Sequence, residues 1–391
     1  MNKRSIQGVD VNGKTVLVRV DFNVPTRNGA ISDDSRIRAA LPTLNLLREG
    51  GATVVVCSHF GRPKGQVVED MRLGIVRERL SELLGAPVAD AAGPNGGRSA
   101  SVISGLSSGE FALLENLRFE TGEETNDEDF SKHLASLADL YVNDAFGAAH
   151  RAHASTAGVA AHLPAYAGLL MERELEMLGR SLEGSRGATI AIVGGAKVAD
   201  KIQVLRHLSA KVDTILVGGG MVAAFYVAQG RSGGAVDVSH EDKAAAHGLL
   251  KTGGAYVVLP ADVITALEFN ENSPATVYDS NEVPLDGLIL DIGPRSAAEY
   301  ARIIGIADTI IWNGPMGVFE WPEFAKGSIA VANAVADNEK ATSVIGGGST
   351  TEIVGSQGLV DKITHVSTGG GASLEFLEGK ILPGVAALDD A

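Results

Sequence analysis

Short runs of apolar and β-branched residues recur along the chain, and many of them end in glycine or polar residues. In the first half they are Thr15–Val20, Thr53–Cys57, Phe111–Leu114 and Leu140–Val142. In the second they are Thr189–Val193, Thr214–Val217, Tyr256–Leu259, Gly287–Leu290, Thr309–Trp312, Ser343–Ile345 and His365–Val366. Runs that are apolar throughout, rather than alternating, fit strands buried on both faces by crossover helices. Helical periodicity fills the intervals at Ser35–Arg48, Met71–Leu84, Asp129–Ala138 and Lys197–Leu208. This alternation predicts an α/β fold with mostly parallel sheets.

A boundary falls near residue 170. The segment Pro164–Gly168 closes a first block, and Leu169–Leu182 then reads as one amphipathic helix. Its apolar Leu169, Leu170, Leu175, Leu178 and Leu182 recur at helical spacing among Glu172, Arg173, Glu174 and Glu176. It leads through residues 183–187 into a new strand, as a connecting helix would. The expected division is therefore a first domain over 1–168, a connector over 169–182 and a second domain over 183–371.

Composition narrows the classes. A length of 391 residues, 45% of them hydrophobic, suits two or three globular domains with their own cores. Lys and Arg total 33 against 48 Asp and Glu, a net charge of −15, which argues against nucleic acid or an anionic membrane surface as partner. Residues 1–168 carry 17 basic and 20 acidic side chains, and the remainder 16 and 28, so the first half is much less acidic. Cys57 is the only cysteine, which excludes an intrachain disulfide and a multi-thiolate zinc site. No apolar signal core follows Met1–Ser5 and no run approaches a membrane span, so a soluble, cytoplasmic protein is expected. The acidic stretch Glu120–Asp129 reads as a solvated loop and helix start.

In open α/β sheets ligands bind beyond the carboxyl ends of the strands. In the first half those places are rich in Asp, Asn, His and Arg. Asp21 and Asn23 follow the first strand, two apart and so on one side of an extended chain, and Arg36 lies on the next helical segment. His59 and Arg62 follow the second strand, Arg118 lies in Glu115–Phe119, and Arg151 stands between His150 and His153. Four arginines and a histidine at strand ends can converge on one anion through forked, charge-assisted hydrogen bonds. Arg19, inside a strand, reads instead as a structural hydrogen-bonding or hinge residue, and Cys57 as a buried structural thiol.

In the second half the strand ends are rich in glycine. Gly194-Gly195-Ala196-Lys197 follows a strand and opens a helix, where backbone N–H groups can meet phosphate, with Lys197 and Lys201 on one helical face. Gly218–Gly220, Ile292–Pro294, Asn313–Gly317 and Gly346–Thr350 repeat the pattern, as at a nucleotide-binding edge. There is no P-loop motif, and the first strand lacks the dinucleotide fingerprint. On residue types alone a nicotinamide-dependent oxidoreductase and a binding protein without turnover stay open beside a kinase.

The blocks Val16–Pro25, Ser58–Pro63, Glu115–Phe119, Val142–His153, Gly194–Ile202, Trp312–Pro315, Gly317–Glu320 and His365–Glu375 together resemble the phosphoglycerate kinase family. They stand in family order and span essentially the whole chain. The resemblance implies two Rossmann-like lobes, each a doubly wound, mostly parallel sheet, with residues 372–391 returning to the first lobe. It implies reversible transfer of a phosphoryl group between MgATP and the carboxylate of 3-phosphoglycerate, in line and on hinge closure, by a monomer. By motif match, Asp21, Asn23, Arg36, His59, Arg62, Arg118 and Arg151 bind phosphoglycerate. Gly195, Lys197, Lys201, Gly219, Gly293, Asn313, Glu320, Gly347, Gly348, Ser349 and Thr350 match the nucleotide pocket. Arg36, Lys197 and the amides around Gly370 are then the groups that neutralise the transferring phosphoryl. One departure concerns Mg²⁺: the family usually has Asp where this chain has Ser349. Either the ATP phosphates and water hold the ion, or Glu352 does.

Overall fold

The computed structural model describes residues 2–95, 97–183, 187–251 and 254–391. The chain divides into two compact units, Met1–Glu176 with Ile381–Ala391, and Met177–Lys380. The division falls inside the helix Leu169–Leu182 rather than at its ends. The helix Gly371–Leu377 belongs to the second unit, and only residues 381–391 join the first.

In the first unit six parallel strands stand in the order Val88–Asp90, Phe111–Leu113, Thr53–Cys57, Thr15–Arg19, Leu140–Asn143, Ala165–Ala167. The two central strands explain the arrangement. Thr15–Arg19 pairs Arg19 with Cys57 on one side and with Asn143 on the other, so three strand ends are level. Val16 and Val18 pack with Val54, Val56 and Val142 against Ile37, Leu44, Val76 and Leu80 of the helices Ser35–Glu49 and Gly74–Leu84. Leu17, Val55 and Tyr141 are also buried, on the opposite face, as runs without alternation require. Truncating a core leucine such as Leu44 would cost about 2–5 kcal/mol. The C-terminal residues are tied in through Arg4 N–H to the Asp389 carbonyl (2.9 Å), Lys3 to Asp390 (2.7 Å), and the Asn143 amide to the Gly384 carbonyl (3.1 Å).

The second unit repeats the plan in the order Tyr256–Val258, Thr214–Val217, Thr189–Val193, Thr309–Asn313, Thr342–Gly346, His365–Val366, again all parallel. Ile190, Ile192, Ile310 and Trp312 pack with Tyr300, Val331 and Ile353 from the flanking helices. One departure from the expected pattern is a three-stranded antiparallel sheet of Asp262–Ala266, Thr276–Asp279 and Leu288–Ile292. It takes up the run expected at Gly287–Leu290. Among the described residues no helix is long and apolar enough to cross a membrane.

Candidate active site

The first unit gathers its predicted cations at the carboxyl ends of four adjacent strands. Arg36 sits in the first turn of Ser35–Glu49, where the helix dipole disfavours a cation. It is held there by Asp21, whose Oδ2 accepts from Nη1 at 3.0 Å, and by the Asn23 carbonyl at 3.2 Å. The Asn23 side chain accepts the Gly61 N–H at 2.9 Å, which fixes the loop carrying His59 and Arg62. Arg118, in the short 3-10 turn Leu117–Phe119, donates to the Gly61 carbonyl at 2.8 Å. Asn116 binds these two loops together: it accepts from the N–H groups of Phe60 and Arg118 and donates to the carbonyls of Phe60 and Met71. Arg151 follows the strand Leu140–Asn143, and its Nε donates to His150 Nε2 at 3.1 Å.

The electrostatics are those of an anion site. Burial, then the cations Arg19, Arg118 and Arg36, hold His59 well below the usual imidazole range. His153 is pushed down to about 4, by burial and then by Arg118, Arg19 and Arg151. Arg118 is itself buried, and burial lowers its affinity for a proton ahead of any neighbour. Arginines elsewhere in this unit are mostly neutralised: Arg79 by Asp34 and Glu82, Arg72 by Glu69 and Glu115. Arg62 and Arg151, by contrast, pair with no carboxylate among the described residues, and Arg62 is exposed.

Two buried residues support this cluster, the first read in advance as a structural hydrogen-bonding residue and the second not legible. Arg19 is fully buried and hydrogen-bonds His59 Nδ1 at 3.1 Å, so it belongs to the cluster. Glu123, within the stretch expected to be a solvated loop, is also fully buried. Its two oxygens accept from Ser155 Oγ (2.6 Å) and Ser155 N–H (3.0 Å). Arg19 was set apart by its place inside a strand, whereas Glu123 carried no spacing that distinguished it. Cys57 is buried, and burial pushes its thiol up to about 12, which fits an inert thiol.

The second unit brings four glycine loops together at neighbouring strand ends. A side chain on Gly314 would lie 2.2 Å from the Gly194 carbonyl oxygen, and one on Gly219 2.6 Å from that of Gly195. Both have left-handed backbones, φ +97° and +71°, so only glycine permits this approach. Lys201 Nζ donates to the Asn313 side-chain oxygen, Asn313 Nδ2 to the Gly346 carbonyl (3.0 Å), and Gly314 N–H to Thr350 Oγ1 (2.7 Å). Thr350 is therefore buried within the support of the loops, whereas Gly348 and Ser349 are exposed at the start of the helix Gly348–Ser356. Gly347 precedes them with φ +97°.

The helix expected over Lys197–Leu208 begins at Ile202, after the 3-10 turn Ala199–Lys201. Lys197 consequently sits in the loop and does not share a helical face with Lys201. Ala199 N–H, donated to Asp242 at 2.7 Å, holds the turn in this place. Burial lowers Lys201 to about 8. Gly293 caps the helix Pro294–Ile304 and packs on Asp262; Glu320 is exposed, and no hydrogen bond joins it to the Asn313 loop among the described residues. Gly370, at φ +42°, precedes the helix Gly371–Leu377.

Among the described residues no group of three or more His, Cys, Asp or Glu side chains could hold a metal ion. Ser349 offers a hydroxyl, a poorer ligand for Mg²⁺ than a carboxylate.

A family model described as phosphoglycerate kinase matches residues 6–380. A solved phosphoglycerate kinase from Coxiella burnetii is 40% identical, with 98% of each chain covered and a TM-score of 0.88. Another from Pyrococcus horikoshii OT3 is 35% identical over 98% of each chain, with a TM-score of 0.83.

Proposed function

The chain belongs to the phosphoglycerate kinase family, and on that premise we propose how its residues divide the family's reaction. The enzyme is a phosphotransferase that moves a phosphoryl group reversibly between ATP and the carboxylate of 3-phosphoglycerate, a step of glycolysis. The acceptor is ionised at neutral pH, so no general base is required. Catalysis then consists of alignment and of neutralising charge on the transferring group.

Asp21, Asn23, Arg36, His59, Arg62, Arg118 and Arg151 hold the acceptor. Arg62 and Arg151 bring charge that no carboxylate among the described residues consumes, and that observation carries the assignment. Asp21 also accepts from Arg36 and so fixes the guanidinium at a helix start that would otherwise repel it. Gly195, Gly219, Asn313, Gly347, Gly348 and Ser349 form the nucleotide edge, with Gly293 and Glu320 at its margin and Thr350 supporting it from below. Lys201 and Lys197 reach the phosphates. Arg36, Lys197 and the Gly370 amide stabilise the transferring group. Mg²⁺ arrives as part of the substrate MgATP rather than on a protein carboxylate.

Lys197→Ala tests this division. In a coupled assay kcat should fall by about 10²-fold or more, the scale of losing one preorganised charge donor. The dissociation constant for 3-phosphoglycerate should stay within about twofold. Equal loss of both would show that the lysine has another role.

A further inference from the structure

Arg19, Ser155 and Glu123 form a buried chain beneath the acceptor cluster, and none of them has a role in the assignments above. Arg19 Nε donates to Ser155 Oγ at 2.8 Å, and Ser155 Oγ donates to Glu123 Oε1 at 2.6 Å. Glu123 Oε2 accepts the Ser155 N–H at 3.0 Å, so both its oxygens serve as acceptors. The same guanidinium donates to the Val20 carbonyl through Nη1 and meets His59 Nδ1 through Nη2 at 3.1 Å. All three residues are fully buried.

Hydrogen-bond polarity then fixes the histidine. A guanidinium has donors only, so His59 Nδ1 must present its lone pair, and the ring proton resides on Nε2. A doubly protonated ring would set two donors against each other. The charged and titratable groups around His59 are Arg19 on the strand, Asp21 beyond it, Arg36 on the helix, Arg118 on the 3-10 turn and His153 on its loop. Asp21, an anion with Oδ1 at 3.9 Å from Nδ1, lies outside hydrogen-bond reach.

We infer that Glu123, acting through Ser155 and Arg19, is a positioning residue that locks His59 as a neutral Nε2–H donor for the acceptor. The relay leaves Arg19 unable to swing away, because its remaining nitrogens are committed to Ser155 and Val20. This inference rests on the assignment of His59 to acceptor binding.

Nitrogen-15 long-range correlation spectra of the histidine-labelled protein, with steady-state constants for both substrates, test it. In the unsubstituted protein His59 should show the Nε2–H tautomer at pH 7. In Ser155→Ala, with Glu123→Gln as the second variant, His59 should lose that single pattern. The acceptor KM should rise on the order of tenfold, within the range that an ångström of misplacement produces, while the nucleotide KM holds within about twofold. An Nδ1–H or doubly protonated His59 in the unsubstituted protein overturns the inference even if neither variant folds. So does a folded Ser155→Ala whose His59 spectrum and acceptor KM are unchanged. Arg62→Ala separates the two levels: if it leaves the acceptor KM unaltered, the acceptor assignment itself fails. If it raises that KM while Ser155→Ala does not, only the relay fails.

Discussion

Lys201 shows how packing sets the charge available to a phosphate. Burial beside Asn313 lowers its ammonium to about 8, so in the free protein it loses charge as pH rises through that value. A bound polyphosphate favours the charged form and raises the pKa again. Binding of MgADP near pH 8 should therefore take up a proton, and nucleotide affinity should fall as pH rises beyond it. Calorimetry in buffers of different ionisation enthalpy measures that uptake; Lys201→Met should abolish it, and an uptake that persists in the variant would place the proton elsewhere. At this scale the sequence is informative about strand-end chemistry and nearly silent about the buried support beneath it. Asp21, Arg36, His59 and Arg118 can be placed by the strands they follow. Glu123 cannot, because an acidic residue among acidic neighbours has the same local pattern whether it faces water or Ser155.

The element that joins the two units begins on a buried carboxylate. Asp144, directly after the strand Leu140–Asn143, accepts the N–H groups of Leu170 (2.9 Å) and Met171 (3.2 Å) and so caps the helix Leu169–Leu182. Loss of such a cap costs about 0.5–2 kcal/mol. Burial pushes the Asp144 carboxyl up to about 6, against Thr43 and the two N–H groups, which favour its ionised form. The native state thus binds this proton more tightly than the unfolded chain, so the residue's contribution to stability falls as pH rises from about 4 through 6. Asp144→Ala should accordingly be least stable relative to the unsubstituted protein near pH 4, and the gap should narrow by pH 7. Denaturant unfolding at the two values checks this; a gap that widens with pH would contradict it. The helix itself was legible from its leucine spacing, its cap was not, since Asp144 is 25 positions away in the chain. The strand runs were legible too, because β-branched residues buried on both faces leave no polar alternation. The antiparallel sheet was not, since Thr276–Asp279 is a short, half-exposed strand whose pairing depends on distant partners. The late start of the helix after Lys197 escaped for the same reason, its cause being Asp242 some forty residues on.

Across the whole molecule, the acidic balance lies mainly in residues 169–391, while the first unit concentrates its cations at one sheet edge. The division proposed above, with the anionic acceptor on the first unit and the nucleotide on the second, would account for that asymmetry in a member of the phosphoglycerate kinase family. Strand order and crossovers were not readable from periodicity, yet the strand ends were, and they carry the proposed site residues. The direct test is a pair of calorimetric titrations of Arg62→Ala, one with 3-phosphoglycerate and one with MgADP. The assignment of the acceptor to the first unit predicts a weakening of the first by about tenfold or more, as for a lost charge-assisted hydrogen bond, with the second unchanged. An unaltered 3-phosphoglycerate affinity, or an equal loss of both, would contradict it.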